Sequence, residues 1–374
     1  MIFYLTFNDA PSGIYSSQVI DVVNFIQTQL NVKIRLVAFI SIRGFLVNKK
    51  IIKQQSPEAI VLPMFPKLKH WRKNQVLINL ICKIYKPKLV IGRSVLATQL
   101  ALGAKNKKLV NKVIYDGRGA IEAEWKEYKV ITDQLLLKEI RHLESECIHQ
   151  SNYRIAVSNQ LIKHWLKGYS YQKNDHVVIP CTLNQVFEKT IISEETIAKT
   201  RRQLAIHSDD ILLTYSGSLA GWQSFELLET FLSTLLNAQA NIKILFLSKK
   251  DEMITQLEGK FPHRIFSKHI EPEEVPSYLV AADYGLLIRE ETITNQVASP
   301  VKFAEYLACG LKVLISNHLG DYTDFTKDNN AGCLYTSIAN LPNVSLGEKL
   351  RLQQLALKTF SKWNYQFSYQ QLIE

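Results

Sequence analysis

The first half of the chain alternates short apolar runs with segments whose apolar residues recur every three or four positions. The short runs are typical of buried strands, and the longer period is typical of a helix with one apolar face. The first strand is predicted at Ile2–Phe7, and the helical period then follows at Val19, Val22, Val23, Ile26 and Leu30. Further strands are predicted at Ile34–Ile40, Ala59–Leu62, Lys88–Ile91, Val113–Tyr115 and Arg154–Val157. Near-continuous apolar strands separated by helices indicate a parallel sheet with both faces covered.

The same pattern restarts in the second half. Ile211–Ser216 is an apolar run that ends at a Gly-Ser turn, and a helical segment follows from about Ser224 to Leu236. Further strands are predicted at Ile242–Leu247, Asp283–Ile288 and Lys312–Ile315. The stretch between the halves, residues 176–187 and the polar helix Ser193–Leu204, is interpreted as a linker and the lead-in to the second domain. The fold class predicted is α/β, with two doubly wound domains and a ligand cleft between them at the carboxyl ends of the strands.

Composition narrows the class of protein. The 374 residues are 47% hydrophobic and 21% charged, which excludes global disorder and a low-complexity chain. No apolar stretch approaches the length of a transmembrane helix, and the first residues lack the basic region of a signal peptide. The five cysteines are scattered without zinc-binding spacing, so reduced thiols in the cytoplasm are expected.

Positive charge is concentrated in the first half. The formal net charge is +11; residues 1–150 hold 23 Lys and Arg against 11 Asp and Glu, whereas residues 151–374 hold 22 against 23. The densest part, Met64–Asn74, mixes cations with aromatic residues, as interfacial membrane contacts do. An ordinary solvated surface is an equally good reading, and nucleic acid is a weaker one because no nucleic-acid motif is present. The candidate membrane contacts are Phe65, Lys67, Lys69, Trp71, Arg72 and Lys73.

The segment Arg289–Ile315 carries the richest candidate chemistry. Ser299 is a good helix N-cap and Pro300 suits the first helical position, so a helix is predicted to begin there. Lys302 and Glu305 then lie three residues apart on one face. The free N–H groups of a helix start suit a phosphate, Lys302 would add a cation, and Glu305 could accept hydrogen bonds from ribose hydroxyls. Read alone, the pair is better explained as an ordinary surface Lys–Glu contact, and only the second candidate segment changes that balance.

A second candidate lies in Thr214–Leu228, where an apolar strand ends in Gly217-Ser218 before a helix. A glycine turn at this position lets the backbone approach a ligand closely. The segment contains neither a GxxxxGK[ST] phosphate loop nor a GxGxxG dinucleotide fingerprint. Alone, the turn is weak evidence for a site.

Together the two segments resemble the donor-binding region of the family 4 retaining glycosyltransferases, group 1, which have the GT-B fold. The resemblance covers nearly the whole chain and is strongest over Val275–Leu314. The family pattern P-x-K-x-x-E-x-x-A-x-G-x-x-V falls on Pro300, Lys302, Glu305, Ala308, Gly310 and Val313. Bacterial surface-polysaccharide transferases are the nearest type, because the stretches NDAPSGIYSSQVIDVV and VIYDGRGAIEAE resemble their first loop and fourth-strand regions.

The resemblance implies three parts for the chain: an acceptor-binding domain at 1–183, a nucleotide-sugar-binding domain at 184–360, and a helix at 361–374 that returns to the first domain. It implies that Glu305 holds the nucleotide ribose and that Lys302 meets the diphosphate. The other donor-binding candidates are Gly217, Ser218, Glu290, Asn295, Ser299, Pro300 and Val301. The acceptor-binding candidates are Ser12, Gly13, Gln18 and Arg118.

The chain departs from the family at three positions. The first of two common glutamates is replaced by Val297, which leaves sugar recognition to Glu290, Asn295 or Gln296. An arginine after the first glycine of the second domain is replaced by Ser218-Leu219, so Arg289 or Lys302 would supply the charge. A histidine is replaced by Asp116, which becomes, with Lys302 and Arg289, a candidate catalytic residue. An equally good reading is that Asp116 is a turn aspartate that forms a structural salt bridge with Arg118.

The function implied is retaining transfer of a sugar from a nucleotide diphosphate sugar to a growing, lipid-linked bacterial glycan such as capsule or lipopolysaccharide. No D-x-D triplet occurs, so neither metal nor other cofactor is expected. An anionic inner membrane surface is the expected further partner, with a cytoplasmic, peripheral location and no nucleic acid. The alternatives are a nucleotide-sugar epimerase of the same architecture, a non-catalytic subunit of a polysaccharide assembly complex, and a dinucleotide-dependent Rossmann enzyme, which the absent GxGxxG disfavours.

Overall fold

The computed structural model describes residues 1–218, 223–337 and 340–373, which form two compact units. The first unit comprises Met1–Thr182, Val297–Ser299 and the segment from Lys362 onward. The second comprises Leu183–Gln296 and Pro300–Ser361. Leu219, at which the family arginine is missing, lies outside the described residues.

The first unit is built on a parallel sheet of seven strands in the order β3-β2-β1-β4-β5-β6-β7. The strands are β1 (Ile2–Phe7), β2 (Ile34–Ile40), β3 (Ile60–Pro63), β4 (Leu89–Arg93), β5 (Lys112–Gly117), β6 (Tyr153–Ala156) and β7 (His176–Val178). The helices are α1 (Gly13–Tyr15), α2 (Asp21–Gln29), α3 (Phe45–Gln55), α4 (Gln75–Tyr85), α5 (Ser94–Asn106), α6 (Ile121–Glu127), α7 (Gln134–Gln150) and α8 (Asn159–Tyr169). A π-helix spans Ser16–Ile20, and a 3₁₀ segment spans Leu68–Asn74.

The second unit has a parallel sheet of six strands, counted over its described residues, in the order β10-β9-β8-β11-β12-β13. The strands are β8 (Ile211–Ser216), β9 (Ile242–Leu247), β10 (Ile265–Lys268), β11 (Tyr284–Leu287), β12 (Lys312–Ile315) and β13 (Gly332–Leu334). The helices are α9 (Gln185–Glu188), α10 (Glu194–Gln203), α11 (Phe225–Ala238), α12 (Glu252–Lys260), α13 (Val275–Leu279), α14 (Ile293–Val297), α15 (Val301–Ala308), α16 (Asp321–Asp328) and α17 (Leu346–Phe360).

Burial explains why the central strands form. Every residue of β1 and of β8 is buried, which requires helices on both faces of each sheet and accounts for the unbroken apolar runs. In the first unit β1 pairs in parallel with β2 and β4, with Ile2 opposite both Ile34 and Leu89. Both units are therefore doubly wound, Rossmann-like α/β domains, as predicted from the hydrophobic pattern.

The end of the chain belongs to the first unit. A 3₁₀ turn at Lys362–Tyr365 leads into α18 (Gln366–Ile373). The rings of Trp363 and Tyr369 lie 5.4 and 6.0 Å from that of Phe25 on α2. The last helix thus completes the core on the α2 side of the first sheet. None of the helices in the described ranges is both long and apolar enough to cross a membrane.

Packing around Gly285 fixes α15 against the second sheet. A Cβ atom built on Gly285 would lie 2.2 Å from the ring of Tyr306. The Tyr306 hydroxyl accepts a hydrogen bond from the backbone N–H of Ser216 at 2.9 Å, so the helix is also tied to the end of β8. Because Gly285 has no side chain, the Tyr306 ring can pack directly on β11, and this contact positions α15.

Gly285→Ala should destabilise the protein by roughly 1–3 kcal/mol, because the added methyl group forces Tyr306 out of its place. The control is Gly259→Ala near the end of α12, where a built Cβ meets nothing within 4 Å. That variant should be neutral or slightly stabilising, since alanine favours a helix. Urea denaturation of both variants checks the prediction, and equal midpoints would contradict it.

Candidate functional site

Three pieces of the second unit converge at the carboxyl ends of its central strands. β8 ends at Ser216 and is followed by Gly217, whose φ of +130° is a conformation that favours glycine. Arg289 lies two residues beyond the end of β11, and α15 begins at Val301. A Cβ atom on Gly217 would lie 3.3 Å from the Nζ of Lys302, so the glycine leaves the lysine its space.

Lys302 is a buried cation with little protein charge to balance it. Its Nζ lies 4.0 Å from the ring centroid of Tyr215 and donates a hydrogen bond to Oε1 of Gln223 at 3.0 Å. Burial holds the pKa of Lys302 well below its usual value, the neighbouring Arg289 lowers it further, and Glu305 opposes both effects. An anion placed beside this ammonium group would stabilise its charged form and raise its pKa again.

Arg289 brings a second buried cation to the same place. Its Nη2 donates to Oε1 of Gln223 at 3.3 Å, and its Nη1 donates to Oδ1 of Asn295 at 3.4 Å. The backbone N–H of Arg289 donates to the Ser316 hydroxyl at 2.8 Å, which fixes the chain after β11. One neutral amide oxygen, that of Gln223, is thus shared by two cations. Such an arrangement has the charge and the donors to bind a diphosphate.

Glu305 lies one turn after Lys302 on α15 and is half-buried. Burial raises the pKa of its carboxyl to about 7, although the positive charge of Lys302 lowers it. Across the described ranges, no group donates a hydrogen bond to this carboxylate. Its acceptor capacity is therefore available to the hydroxyl groups of a ligand.

The helix that carries Lys302 and Glu305 begins one residue later than predicted. Pro300 occupies the N-cap position with φ −70° and ψ 115°, and its side chain makes no capping hydrogen bond. The predicted cap, Ser299, uses its hydroxyl differently: within the first unit it accepts a hydrogen bond from the backbone N–H of Cys181 at 2.8 Å. The first N–H groups of α15, beginning at Val301, are consequently left without a side-chain partner from their own N-cap.

Among the other donor-site candidates, Ser218 contributes a backbone contact, Asn295 holds a loop together and Glu290 is exposed to solvent. The Ser218 carbonyl accepts a hydrogen bond from the Tyr215 hydroxyl at 2.6 Å, which holds the glycine turn. Asn295 is fully buried and donates to the Glu290 carbonyl at 3.1 Å, so its amide closes the loop after β11. Glu290 itself is exposed. Val297, in place of the family glutamate, is a core residue of the first unit.

Gln223 is the residue of this cluster that sequence reasoning missed. It is buried, and it stands where the chain enters α11 after the glycine turn. The signal in the sequence is faint: a polar residue in a loop that follows a buried strand. Its importance arises from the tertiary structure, which brings Lys302 and Arg289 to the same oxygen atom.

Asp116 lies inside β5, so the reading of Asp116 as a turn aspartate is wrong, although its salt bridge to Arg118 is present. It is buried, and the Tyr4 hydroxyl donates to its Oδ2 at 2.5 Å. Two arginines complete its surroundings: Nη1 of Arg118 lies 3.4 Å from Oδ1, and Nη1 of Arg93 lies 3.8 Å from Oδ2. Asp116 is therefore the centre of a buried network of charged and polar side chains within the first unit.

The four acceptor-site candidates lie in two settings. Ser12 and Gly13 are exposed at the start of α1, where the Ser12 hydroxyl accepts a hydrogen bond from the Tyr15 N–H at 3.2 Å. Gln18 is buried, and its amide exchanges hydrogen bonds with the backbone of Thr182 at 2.7 and 3.2 Å. Arg118 donates to Sγ of Cys181 at 3.1 Å and to Oε1 of Gln18 at 3.5 Å. Gln18 and Arg118 thus anchor residues 181–182, at the end of the longest chain segment of the first unit.

A separate cavity of about 210 Å³ opens in the first unit at the carboxyl ends of β1 and β4. None of the predicted acceptor residues lines it; Asp9, Arg93, Ser94, Glu124 and Trp125 do. Nε of Arg93 lies 3.8 Å from Oδ2 of Asp9, and its buried Nη1 has no hydrogen-bond acceptor within the described ranges. Burial, with Asp9 and Glu127 nearby, raises the pKa of Glu124 to about 7. Ser94 starts α5 with φ +64°.

The basic segment 64–74 is only partly available to a membrane. Trp71 is buried in the core of the first unit, so it is not an exposed interfacial anchor, contrary to the sequence-based hypothesis. The guanidinium of Arg72 lies 4.6 Å from the Trp71 ring centroid and forms an ion pair with Glu139 at 3.0 Å. Four of the candidates are exposed with no ion pair among the described residues: Phe65, Lys67, Lys69 and Lys73.

Comparison with solved structures identifies the architecture. Sucrose-phosphate synthase from Thermosynechococcus elongatus is similar with a TM-score of 0.70 at 14% identity, over 100% of this chain and 98% of that one. Anabaena HepE in complex with UDP is similar with a TM-score of 0.68 at 12% identity, over 100% and 99%.

The chain has the GT-B fold. WaaG, a glycosyltransferase involved in lipopolysaccharide biosynthesis, is also similar, with a TM-score of 0.63 at 15% identity over 96% of this chain and 90% of that one. No model of a known protein family matches the sequence, and no curated protein matches it significantly. At these identities the likeness establishes the GT-B fold, and the chemistry must be argued from the residues.

Proposed function

We propose that the protein is a retaining glycosyltransferase that moves a sugar from a nucleotide diphosphate sugar to a growing, lipid-linked bacterial surface glycan. One observation carries the proposal: two buried cations, Lys302 and Arg289, share the single amide oxygen of Gln223 beside the glycine turn at Gly217. Burying two positive groups side by side is costly unless a ligand supplies negative charge. A diphosphate is the matching ligand.

The same groups would assist the chemistry. As the bond between the sugar and the diphosphate breaks, negative charge grows on the leaving phosphate oxygen. Lys302, Arg289 and the N–H groups at the start of α15 would stabilise that charge, and they require no reorganisation because their positions are already fixed. In the proposed enzyme, protein cations take the part that a divalent metal plays in other transferases.

Glu305 would hold the ribose of the nucleotide. Its half-buried carboxylate, one turn beyond Lys302, would accept hydrogen bonds from the two ribose hydroxyls. The similar HepE structures include complexes with UDP and with UDP-glucose, which makes uridine the first nucleotide to test. The sugar itself would lie near the loop after β11, where Glu290 is exposed.

The cavity of the first unit is the proposed binding place of the acceptor sugar. Carboxylates, an arginine and an aromatic residue in one pocket suit the hydroxyl groups and the apolar faces of a glycan, whereas two carboxylates would repel a free phosphate. The residues proposed to touch the acceptor are Asp9, Arg93 and Glu124. This assignment moves the acceptor site away from Gln18 and Arg118, whose side chains are engaged with residues 181–182.

Glu124→Gln and Asp9→Asn should each raise the KM for the acceptor about tenfold or more, because each removes a hydrogen bond to a charged group. The affinity for the donor should not change. Glu127→Gln is the matched control, since it changes an exposed glutamate on the same helix, α6. Initial-rate kinetics with each substrate varied in turn separate the two constants. A change in donor affinity without a change in acceptor KM would contradict the assignment.

The function is tested by product analysis. Purified protein incubated with UDP-sugars and bacterial lipid-linked glycans should release UDP and extend the glycan, and NMR of the product should show the donor's anomeric configuration. Conversion of the free nucleotide sugar to its epimer without an acceptor would favour the epimerase instead. Donor binding with neither transfer nor hydrolysis would favour a non-catalytic subunit.

We further propose that the protein works as a peripheral protein on the inner face of the cell membrane, where a lipid-linked acceptor is found. Support comes from the excess of cations in residues 1–150, since anionic lipids attract basic surfaces.

A further inference from the structure

Helix α4 is apolar on its outer face as well as on its inner one. Ile78, Ile81 and Cys82 are buried in the core of the first unit. On the opposite side, Val76, Leu80 and Ile84 are 71%, 54% and 63% exposed. These three residues are spaced four apart, so they form one continuous stripe along the helix. A surface helix normally presents polar residues there, and an exposed apolar stripe marks an interaction site.

The surroundings of the stripe are strongly basic. Between Asp21 and Asp116 the sequence contains 18 lysine and arginine residues and a single carboxylate, Glu58, which pairs with Arg35 at 3.4 Å. Lys73 lies three residues before Val76, and Lys83 lies three residues after Leu80; both lysines are exposed. Apolar side chains flanked by lysines are the composition of a helix that lies in the interface of an anionic bilayer.

We infer that α4 is a membrane-docking helix, with Val76, Leu80 and Ile84 inserted among the acyl chains and headgroups and with Lys73 and Lys83 at anionic phosphates. An 11-residue helix spans about 16 Å, so it lies along the surface and does not cross the bilayer. The inference rests on the proposed function in that a lipid-linked acceptor gives this surface its use. It replaces the buried Trp71 as the apolar anchor.

The charge favours a bilayer over a second copy of the chain. Two such faces brought together would place their lysines against each other; residues 59–115 contain no carboxylate to neutralise them, and Glu139 of α7 is already paired with Arg72. An anionic membrane satisfies both features at once, because it accepts the apolar stripe and attracts the cations.

The test uses the full-length protein and vesicles of phosphatidylcholine with about one-third phosphatidylglycerol, at roughly 0.1 M salt where surface charges are only partly screened. Wild-type protein should sediment with these vesicles. A triple variant with Val76→Ser, Leu80→Ser and Ile84→Ser should lower the partition coefficient by about tenfold or more, since it removes the apolar contribution. The matched control changes three exposed apolar residues elsewhere: Leu135→Ser, Leu166→Ser and Ile191→Ser.

A charge variant tests the second half of the inference. Lys73→Gln with Lys83→Gln should weaken binding to the anionic vesicles and reduce its salt dependence, whereas Lys199→Gln with Lys358→Gln, two exposed lysines of the second unit, should not. Circular dichroism should show that every variant is folded, because all the changed residues are exposed.

Three results would overturn the inference: no sedimentation of the wild-type protein, equal sedimentation of the α4 triple variant and its control, or a wild-type dimer without lipid that the triple variant abolishes. The last would assign the stripe to a second copy. Donor binding, measured as a thermal shift with UDP, should be the same in the triple variant and the wild type. If the wild type binds UDP but not the vesicles, the docking inference is wrong and the proposed transferase is unaffected. If the wild type binds the vesicles but not UDP, the proposed transferase is wrong and the docking inference is unaffected.

Discussion

Replacing Lys302 with methionine should weaken donor binding and slow transfer by about 10²–10³-fold, the usual effect of removing one preorganised group that stabilises developing charge. The unliganded variant should nevertheless be at least as stable as the wild type. Burial depresses the pKa of Lys302 in the folded state, so at neutral pH the fold bears the cost of a charged group that the unfolded chain hydrates freely. That cost grows as the pH falls below the unfolded pKa of about 10.4, and methionine removes it.

Lys349→Met is the matched control for Lys302→Met. Lys349 is also a buried lysine of the second unit, but it donates hydrogen bonds to the carbonyl groups of Val280 and Ala282. Its loss leaves buried carbonyls without donors and should cost roughly 1–3 kcal/mol of stability. Donor affinity of the folded fraction should not change. Calorimetric titration with UDP and thermal melts measure both effects, and wild-type affinity in Lys302→Met would refute the assigned role.

Glu305→Gln should reduce donor affinity by about 10–100-fold, because hydrogen bonds from the ribose to a charged acceptor become bonds to a neutral one. The wild-type affinity should also depend on pH. With the pKa of Glu305 raised to about 7, the carboxylate gains a proton as the pH falls from 8 to 6, and donor affinity should fall with it. The variant should lack that dependence.

The contribution of Glu305 to folding stability should depend on pH in the opposite direction to donor affinity. Its folded pKa lies above its usual value of about 4.3, so its contribution to stability is complete below that value and is lost as the pH rises through about 7. Glu305→Gln should therefore gain stability relative to wild type at pH 8. Glu273→Gln, which changes an exposed carboxylate just before α13, is the control. Donor affinity that is flat between pH 6 and 8 in the wild type would contradict the role of Glu305.

The central strands could be predicted from the sequence, because strands such as β1 and β8 are buried on both faces and read as unbroken apolar runs. Of the strands at the sheet edges, β3 was predicted as Ala59–Leu62, but three others could not be. His176–Val178, Ile265–Lys268 and Gly332–Leu334 are three or four residues long and only partly buried, so their sequences lack the apolar pattern. His176–Val178 was interpreted as linker for this reason.

Local spacing predicted Lys302 and Glu305 on one face of a helix and a glycine turn after β8, because these relations depend only on residues close in sequence. Relations between distant residues were beyond such reasoning. Gln223 joins Lys302 and Arg289 across 79 and 66 residues. Ser299 is not the N-cap residue, because the helix begins one residue later than predicted, and its hydroxyl accepts a hydrogen bond from Cys181, 118 residues away.

The measurement that tests the account most directly is calorimetric titration of the purified protein with UDP and UDP-sugars, alongside Lys302→Met and Glu305→Gln. The account predicts that the wild type binds a nucleotide diphosphate, that Lys302→Met loses the diphosphate contribution, and that Glu305→Gln loses the ribose contribution and its pH dependence. If no nucleoside diphosphate or nucleotide sugar binds the wild type, or if both variants bind as the wild type does, the assignment of the Lys302–Arg289–Glu305 cluster as a donor site is wrong.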